Sequence, residues 1–147
     1  MRLTMKSDYG LRAMIDLAAR YGKGLIPSAE IARRQIIPEH FLDQTLITLR
    51  RAGLIKSQRG PQGGHALAKP PAQITMLDVL RALEGVPATL DCVPQPATCA
   101  LAPGCGMRDI WAQIDAFTHD LLAATTLERL AARHQPAHAE AVEMYYI

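Results

Sequence analysis

The architecture follows from one segment of the chain, Leu54-Ile55-Lys56-Ser57-Gln58-Arg59-Gly60-Pro61-Gln62-Gly63-Gly64-His65-Ala66-Leu67-Ala68-Lys69. Two short parts with β-strand character flank a turn built on Gly60-Pro61 and Gly63-Gly64, so the segment predicts a β-hairpin. Glycine-rich turns can also hold a nucleotide phosphate, but the Gly-Lys-Ser/Thr signature of such loops does not accompany this one. What precedes the hairpin indicates its role.

Two short helices are predicted directly before the hairpin. Pro27-Ser28 opens the first, which ends near Arg34, and Pro38-Glu39 opens the second, which ends at Ala52. Two helices joined by a turn of a few residues form a helix-turn-helix, and a hairpin that follows such a pair is a wing. The sequence therefore predicts a winged helix-turn-helix DNA-binding domain over residues 1–69.

The second of these helices is predicted to read DNA. Its leucines form a buried stripe, which leaves a polar face narrow enough for a major groove. Gln44 suits adenine and Asp43 can accept from cytosine, while Arg59 can enter a minor groove or bind phosphate. A solvated surface helix could have the same composition. The predicted DNA-binding residues are His40, Asp43, Gln44, Thr48, Arg51, Arg59 and Gly60.

Four more helices complete the prediction, which is a mainly α fold with a small β wing. Ser7 is predicted to cap the first helix, and the others are expected at Met76–Leu83, Met107–Ala124 and from Thr126 to Arg133. The apolar stripe of the long helix is wider than one small domain needs, which predicts packing against the same helix of a second copy. The predicted dimerisation residues are Ile110, Trp111, Ile114, Phe117 and Leu121.

The predicted organisation has four parts. Residues 1–69 form the DNA-binding domain, and residues 70–106 form a connecting helix and a cysteine-containing loop. Residues 107–134 hold the dimerisation helix and the short terminal helix, and residues 135–147 form a tail with an apolar end.

All three cysteines of the chain, Cys92, Cys99 and Cys105, lie in one short loop rich in proline and glycine. Thiolates are ligands for zinc, copper(I) or iron–sulfur clusters, and a loop that wraps around a centre needs such flexible positions. The spacings of six and five residues favour a cluster, since structural zinc sites usually contain close Cys-x2-Cys pairs. Reduced thiols in a connector, or a redox pair with a bystander, remain alternatives.

Charge is divided unevenly along the 147 residues. Residues 1–69 carry twelve Lys or Arg and five Asp or Glu, a net charge of +7, whereas residues 70–147 carry four and nine, a net charge of −5. A basic half joined to an acidic half is typical of a nucleic-acid-binding module beside a module that does not bind. With no long uncharged apolar run and no signal-peptide pattern, a cytoplasmic location without membrane association is expected.

Taken together, these residues resemble the IscR/NsrR/CymR (Rrf-type) family of bacterial winged-helix transcriptional regulators. The similarity covers nearly the whole chain. Besides the three cysteines, its markers are Met1-Arg2-Leu3-Thr4, Asp8-Tyr9-Gly10-Leu11-Arg12-Ala13-Met14, Leu49-Arg50-Arg51-Ala52-Gly53-Leu54, Arg59-Gly60-Pro61-Gln62-Gly63-Gly64 and Thr126-Leu127-Glu128-Arg129-Leu130. The resemblance implies a homodimer on double-stranded operator DNA and a cluster held by Cys92, Cys99 and Cys105.

The fourth ligand of such a cluster differs between family branches. Members similar to the iron–sulfur biogenesis regulator carry a histidine three residues after the third cysteine, where this chain has Arg108. Members similar to the nitric-oxide sensor use an acidic residue at the start of the first helix of the opposite subunit, which matches Asp8. We therefore expect Asp8 of the partner subunit as fourth ligand, with water, His40 or His119 as alternatives.

The sequence thus predicts a homodimeric transcriptional regulator, with repression as the expected mode, that is not an enzyme. A 2Fe-2S or 4Fe-4S cluster would sense iron–sulfur status, nitric oxide or redox stress. A metal-free regulator that senses redox state through a disulfide is the alternative. No Ser-His-Asp order or His-Glu-x-x-His motif favours a hydrolase.

Overall fold

The computed structural model describes residues 3–134. The predicted tail over residues 135–147, with its apolar end, lies outside this part of the chain. The observed fold is mainly helical with one small β wing, as predicted. The helices are α1 (Met5–Ala19), α2 (Ser28–Gln35), α3 (Glu39–Arg51), α4 (Met76–Glu84), α5 (Arg108–Ala124) and α6 (Leu127–Arg133). The strands are β1 (Ile55–Gln58) and β2 (Gly64–Leu67), and short 3-10 turns lie at Pro71–Gln73, Pro96–Thr98 and Ala102–Gly104.

Helix α1 is the central element, because it packs against α2, α3, α4 and α6. Its apolar side chains repeat at helical spacing, so Met14 and Leu17 are completely buried. Gly10 allows α4 to approach closely, since a Cβ at this position would lie 2.3 Å from the Leu83 side chain. Residues from all six helices and both strands therefore share one hydrophobic core.

The start of α1 differs from the sequence prediction. Thr4, not Ser7, is the N-cap residue, and its side chain accepts a hydrogen bond from the Ser7 backbone N–H. Ser7 lies one turn inside the helix and is fully buried, and its hydroxyl donates to the Glu84 carboxylate at 2.6 Å. The prediction was wrong because both residues are good caps and only the packing of α4 distinguishes them.

A buried carboxylate joins α1 to α2. Asp16 is 1% exposed and accepts hydrogen bonds from Arg34 Nε at 3.0 Å and Nη2 at 2.8 Å. The Arg20 guanidinium and the Gln35 side-chain amide donate to Asp16 Oδ1. The Asp16 hydrogen bond raises the pKa of Arg34, and further pairing with Glu30 adds to that effect. The ion pair of Asp16 and Arg34 therefore has the additional hydrogen bonds that a buried charge needs.

The helix-turn-helix closes tightly between α2 and α3. Ile36 adopts a left-handed conformation with φ 55°, and the Ile37 N–H donates to the Ala32 carbonyl at 2.9 Å. The predicted stripe of α3 is buried: Leu42 and Leu49 are completely inaccessible and Leu46 is 2% exposed. This burial orients the polar side chains of α3 outward.

The wing is an antiparallel pair in which Ile55 lies opposite Leu67 and Gln58 lies opposite Gly64. It is attached to the helix-turn-helix by two further backbone hydrogen bonds between Ile26 and His65, of 2.9 Å and 2.8 Å. Gly64 is required at this junction, because its φ is 155° and an added Cβ would lie 2.6 Å from the Ile26 backbone. The hairpin is therefore held next to the start of α2.

Helices α4 and α6, from the second half of the chain, pack against α1 in the first half. Thr75 caps α4 in a reciprocal capping box with Asp78, and Thr126 caps α6, both as predicted. Backbone hydrogen bonds of 2.8 Å join Met76 to Thr125 and Leu127 to Ile74. They place α6 against α1. Within residues 3–134, no helix combines the length and the hydrophobicity that a bilayer-spanning segment needs.

Candidate DNA-binding surface and cysteine loop

The outer face of α3 has the polar, accessible character that DNA reading requires. Four of the side chains predicted to contact DNA are exposed: His40, Asp43, Gln44 and Arg51. Thr48 is half-buried, and its hydroxyl donates to the Gln44 backbone carbonyl at 3.2 Å. The Thr48 hydroxyl therefore has an intrahelical partner, and Gln44 and Asp43 are the more exposed polar side chains on this face.

A groove of about 420 Å³ lies between α3 and the wing. Asp43 and Arg59 line it, and so do two residues that the sequence analysis did not select, Ser28 and Arg50. Ser28 begins α2, where backbone N–H groups and the helix dipole favour a phosphate. Arg50 is seven residues after Asp43, which is two helical turns, and this spacing could have identified it.

The wing tip carries one exposed positive charge, that of Arg59. Arg59 and Gly60 are both exposed, and Gly60 has a φ of 113°, a conformation that favours glycine. Gly63 has no room for a side chain, because a Cβ would lie 2.2 Å from the Gln58 carbonyl oxygen. The turn therefore requires glycine at both positions, and the exposed Arg59 directly precedes it.

One polar pair lies on the wing beside this groove. Ser57 Oγ and His65 Nδ1 are 2.7 Å apart across the two strands. Desolvation of the half-buried ring lowers the pKa of His65, and the positive charge of Arg50 acts in the same direction while Asp43 opposes it. The neutral imidazole is therefore the favoured form at this junction near neutral pH.

The cysteine loop between α4 and α5 is a series of local turns. Cys92, Cys99 and Cys105 are all free thiols of intermediate exposure. The Cys99 N–H donates to Pro96 O at 3.2 Å, and the Cys105 N–H donates to Ala102 O at 3.4 Å. Each of these two cysteines thus ends one of the short 3-10 turns, and their exposure leaves the thiols open to chemistry.

The three thiols are not gathered into a ready-made metal site. Over residues 3–134, no group of three or more His, Cys, Asp or Glu side chains is arranged to hold a metal ion. The donor chemistry nevertheless fits an anionic cluster, because the loop with the three thiols leads directly into a cationic residue, Arg108, at the start of α5. Arg108 Nη2 donates to Val93 O at 3.4 Å, and its buried Nε has no hydrogen-bond partner in the described chain. An anionic acceptor would suit such a donor.

The expected fourth ligand, Asp8, lies in the first turn of α1 with 42% of its side chain exposed. Its carboxylate pairs with Arg12 Nη2 at 2.6 Å. Arg12 also donates to the Gln35 carbonyl at 3.4 Å and lies 5.9 Å from the centre of the Tyr9 ring. Asp8 is thus accessible from outside the subunit and connected to the end of α2.

The two alternative histidine ligands have other neighbours. The His40 ring lies 4.4 Å from the Phe41 ring on α3. His119 Nε2 is 3.0 Å from Arg81 Nη2, and its Nδ1 is 3.4 Å from Asp120. His119 lies in the second half of α5, more than two turns from the loop. Neither arrangement singles out one of these histidines as a ligand for the cysteine loop.

Helix α5 exposes an apolar face. Leu122 is its only residue classed as buried among those the structure describes. Four of the predicted dimerisation residues are exposed and Trp111 is half-buried. The exposed side chains are Ile110 at 58%, Ile114 at 41%, Phe117 at 71% and Leu121 at 55%. Such a continuous exposed stripe is unusual for a surface that faces water.

Comparison with known proteins agrees with this arrangement. A family model described as "Rrf2: Iron-dependent Transcriptional regulator" matches residues 3–133. The HTH-type transcriptional regulator CymR of Bacillus subtilis is 36% identical over 149 aligned positions and covers 100% of both chains. The match therefore extends through the wing, the cysteine loop and α5.

Solved structures show the same fold. The B. subtilis CymR structure, described as that of the global cysteine regulator, has a TM-score of 0.76 at 36% identity and covers 92% of this chain and 99% of that one. T. potens IscR has a TM-score of 0.73 at 33% identity, covering 99% and 97%. The oxidized form of Staphylococcus aureus CymR has a TM-score of 0.69 at 34% identity, covering 89% and 96%.

The family resemblance drawn from the sequence is confirmed by these matches. The family model spans all but one residue of the described chain, and the helix-turn-helix, the wing and the exposed face of α3 supply the architecture of a DNA-binding protein. The chain belongs to the Rrf2 family of DNA-binding transcriptional regulators.

Proposed function

We propose that this protein is a homodimeric repressor whose affinity for operator DNA is controlled by an iron–sulfur cluster on the loop between α4 and α5. One observation carries the proposal: all three cysteines are free and half-buried on the loop that leads directly into the helix with the exposed apolar face. The protein would then act in the cytoplasm as a regulator rather than as an enzyme.

The exposed face of α5 supports a dimer of two copies of this chain. Ile110, Ile114, Phe117 and Leu121 recur at three- and four-residue intervals, which is the spacing of a helix–helix seam. A twofold axis through this seam would pair each residue with the same face of the partner helix. The two recognition helices would then address half-sites about 34 Å apart, which is one turn of DNA.

The DNA contacts proposed for each subunit divide into two kinds. Gln44 and Asp43 on α3 would read base edges in the major groove, with His40, Thr48 and Arg51 beside them on the same helix. Arg59 and Gly60 at the wing tip, together with Ser28 and Arg50 in the groove, would hold the phosphate backbone. The positive charge of residues 1–69 supports this division.

Cys92, Cys99 and Cys105 would hold the cluster, and Asp8 of the partner subunit would complete its coordination. The exposed position of Asp8 in the first turn of α1 supports this role. When bound, the cluster would supply a redox-active iron centre that reacts with nitric oxide or oxygen. A carboxylate is a harder ligand than a thiolate, so the position held by Asp8 would be the labile one.

Control of DNA binding would pass through the contacts of Asp8. An Asp8 carboxylate that ligates a metal would form a weaker ion pair with Arg12. Arg12 also donates a hydrogen bond to the carbonyl of Gln35 at the end of α2. A change at Asp8 would therefore alter the support of the helix-turn-helix. A coupling free energy of about 1–3 kcal/mol is enough to change operator occupancy several-fold or more.

The test is a comparison of cluster-loaded and cluster-free protein. We expect anaerobically purified protein to be coloured, to contain iron and sulfide, and to bind its operator with a different affinity after cluster removal at matched salt. The variant Asp8→Ala should shorten the cluster lifetime and change the visible spectrum, whereas Asp109→Ala, on the exposed start of α5, should not. Colourless, metal-free protein from anaerobic cells would contradict the cluster, and an Asp8→Ala spectrum equal to wild type would exclude Asp8.

A thiol-based redox switch is the second candidate. It is favoured by the free, half-buried state of the three cysteines and by the similarity to a CymR structure described as an oxidized form. In this case Cys92 would form a disulfide with Cys99 or Cys105, and no metal would be needed. Peptide mapping after mild oxidation distinguishes the two functions, because the switch gives a colourless protein with one reversible intramolecular disulfide.

A further inference from the structure

Two side chains of α5 hold the first part of the cysteine loop, and both are unusual. Thr89 donates to Asp115 Oδ1 twice, through its backbone N–H at 2.9 Å and through its hydroxyl at 2.8 Å. Arg108 donates to the carbonyl of Val93 at 3.4 Å. These contacts cross 26 and 15 positions of the chain, whereas the turns around Cys99 and Cys105 are local.

Arg108 and Asp115 also lie on one face of α5, because seven residues correspond to two helical turns. They are the two described side chains that each contain a buried polar atom without a hydrogen-bond partner, Nε of Arg108 and Oδ2 of Asp115. Buried polar atoms are normally paired, so these two atoms distinguish this junction from the rest of the described chain.

We propose that Arg108 and Asp115 form a clamp that fixes residues 89–93, and with them Cys92, to α5. The loop then has two mechanically different parts. Cys92 moves with the helix whose apolar face is proposed to form the dimer, whereas the hydrogen bonds around Cys99 in residues 3–134 are those of short-range turns. Arg108 and Asp115 are positioning residues for the first thiol rather than ligands.

The regulatory meaning of the clamp rests on the proposed function. If Cys92 binds a metal or forms a disulfide, a change at its thiol is transmitted to α5 directly, through the hydrogen bonds of Thr89 and Val93 to that helix. The same change at Cys99 is absorbed by the local turns. Of Cys92 and Cys99, Cys92 is therefore the thiol whose modification is transmitted to α5.

The test uses metal-free, reduced, full-length protein. Thr89→Val removes one donor without changing charge, Thr89→Ser retains it, and Asp115→Leu removes the acceptor of both bonds. We expect amide hydrogen exchange in residues 89–93 to rise about fivefold in Thr89→Val, since one net hydrogen bond is lost, and further in Asp115→Leu. Thr89→Ser should remain near wild type, and Asp109→Leu on the exposed side of α5 should leave residues 89–93 unchanged.

A second readout separates positioning from general destabilisation. Maleimide labelling of Cys92 relative to Cys99, followed by mass spectrometry, should increase in Thr89→Val and Asp115→Leu and return to the wild-type ratio in Thr89→Ser. Unchanged exchange in residues 89–93 together with an unchanged Cys92/Cys99 ratio in Thr89→Val would overturn the clamp. Both readouts are made without metal, so a failure of wild-type protein to hold a cluster would contradict the proposed function and leave this test intact.

Discussion

The buried hydroxyl of Ser7 in α1 donates a 2.6 Å hydrogen bond to the carboxylate of Glu84, the last residue of α4. The Thr4 hydroxyl donates to the same carboxylate oxygen, and Lys6 Nζ donates to the Leu83 carbonyl at 3.2 Å. The first turn of α1, which contains Asp8, is therefore fastened to the residue that directly precedes the cysteine loop. Two segments 77 residues apart in sequence form one structural unit.

Removing the Ser7 hydroxyl should destabilise the protein. Hydrogen bonds from Ser7 and then Thr4 lower the pKa of Glu84 below its ordinary value of 4.5. We expect Ser7→Ala to lower the free energy of unfolding by about 1–2 kcal/mol at pH 7, measured by urea denaturation. A carboxyl group with a lowered pKa stabilises the fold above its unfolded-state pKa and loses that effect as pH falls through the folded value, so the difference should shrink below about pH 4.5.

A matched pair checks this interpretation. Glu84→Gln weakens the acceptor, whereas Glu128→Gln changes an exposed carboxylate in the first turn of α6. Only Glu84→Gln should reduce stability in the same pH range as Ser7→Ala. Equal stabilities of the two glutamine variants would show that the charge of Glu84 adds nothing measurable to the Ser7 bond.

The Asp16 network should be among the most sensitive sites in the molecule. Asp16→Asn removes the buried carboxylate from Arg34, which is 16% exposed and then keeps only Glu30 as a charged partner. Breaking a fully buried ion pair costs about 3–5 kcal/mol, and because Glu30 still pairs with Arg34 we expect a smaller loss but a clear decrease in the melting temperature. Asp120→Asn, at a carboxylate that is 84% exposed, serves as the control and should change stability by less than about 0.5 kcal/mol. Wild-type stability for Asp16→Asn would contradict the role of the network.

The sequence alone was sufficient to predict the helices, the strands and most of the core residues. The leucines of α3, the Thr75 and Thr126 caps and the hairpin signals are local patterns, and each depends on residues within about one turn of one another. The same locality explains why the outward face of α3 was predicted as a set. Once the buried leucine stripe of α3 is known, the helical period determines which side chains point away from the core.

What the sequence did not predict depends on distant partners. The local pattern predicts Ser7 as a cap because serine is a common N-cap residue, and nothing in that pattern indicates its contact with Glu84, 77 residues away. Ser28 was not predicted for the same reason, since the groove it lines exists only when the wing lies beside α3. Arg50 differs, because its spacing of two helical turns from Asp43 on the same helix was available in the sequence. The clamp of Arg108 and Asp115 is likewise a relationship between α5 and a loop, not a motif.

Arg59 and Gln44 should affect DNA binding in different ways. Arg59 at the wing tip is proposed to contact phosphate or the minor groove, so Arg59→Ala should weaken binding to all sequences and reduce the salt slope by about 1. Gln44→Ala should instead cost about 1–3 kcal/mol on the preferred operator and relax discrimination at one base pair. Fluorescence anisotropy over a salt series, with operator and scrambled DNA, measures both.

The control for these variants is Arg129→Ala, which removes a positive charge from α6, away from the groove. It should leave the salt slope and the sequence preference close to wild type. A loss of specific binding in Arg59→Ala with no change in the salt slope would assign Arg59 a role other than backbone contact.

The wing junction should make stability depend on pH near neutrality. Desolvation lowers the pKa of His65 from its ordinary value of 6.5, so the folded state favours the neutral ring that pairs with Ser57. Above pH 6.5 the His65 ring is neutral in both the folded and the unfolded state, and its contribution to the free energy of unfolding is complete. As pH falls, the unfolded chain takes up the proton first, so stability is lost until the folded-state pKa is passed.

We therefore expect His65→Gln, which cannot titrate, to lose less stability than wild type between pH 7.5 and pH 5 when thermal unfolding is followed by circular dichroism. Parallel pH profiles for wild type and His65→Gln would show that the wing junction does not favour the neutral imidazole.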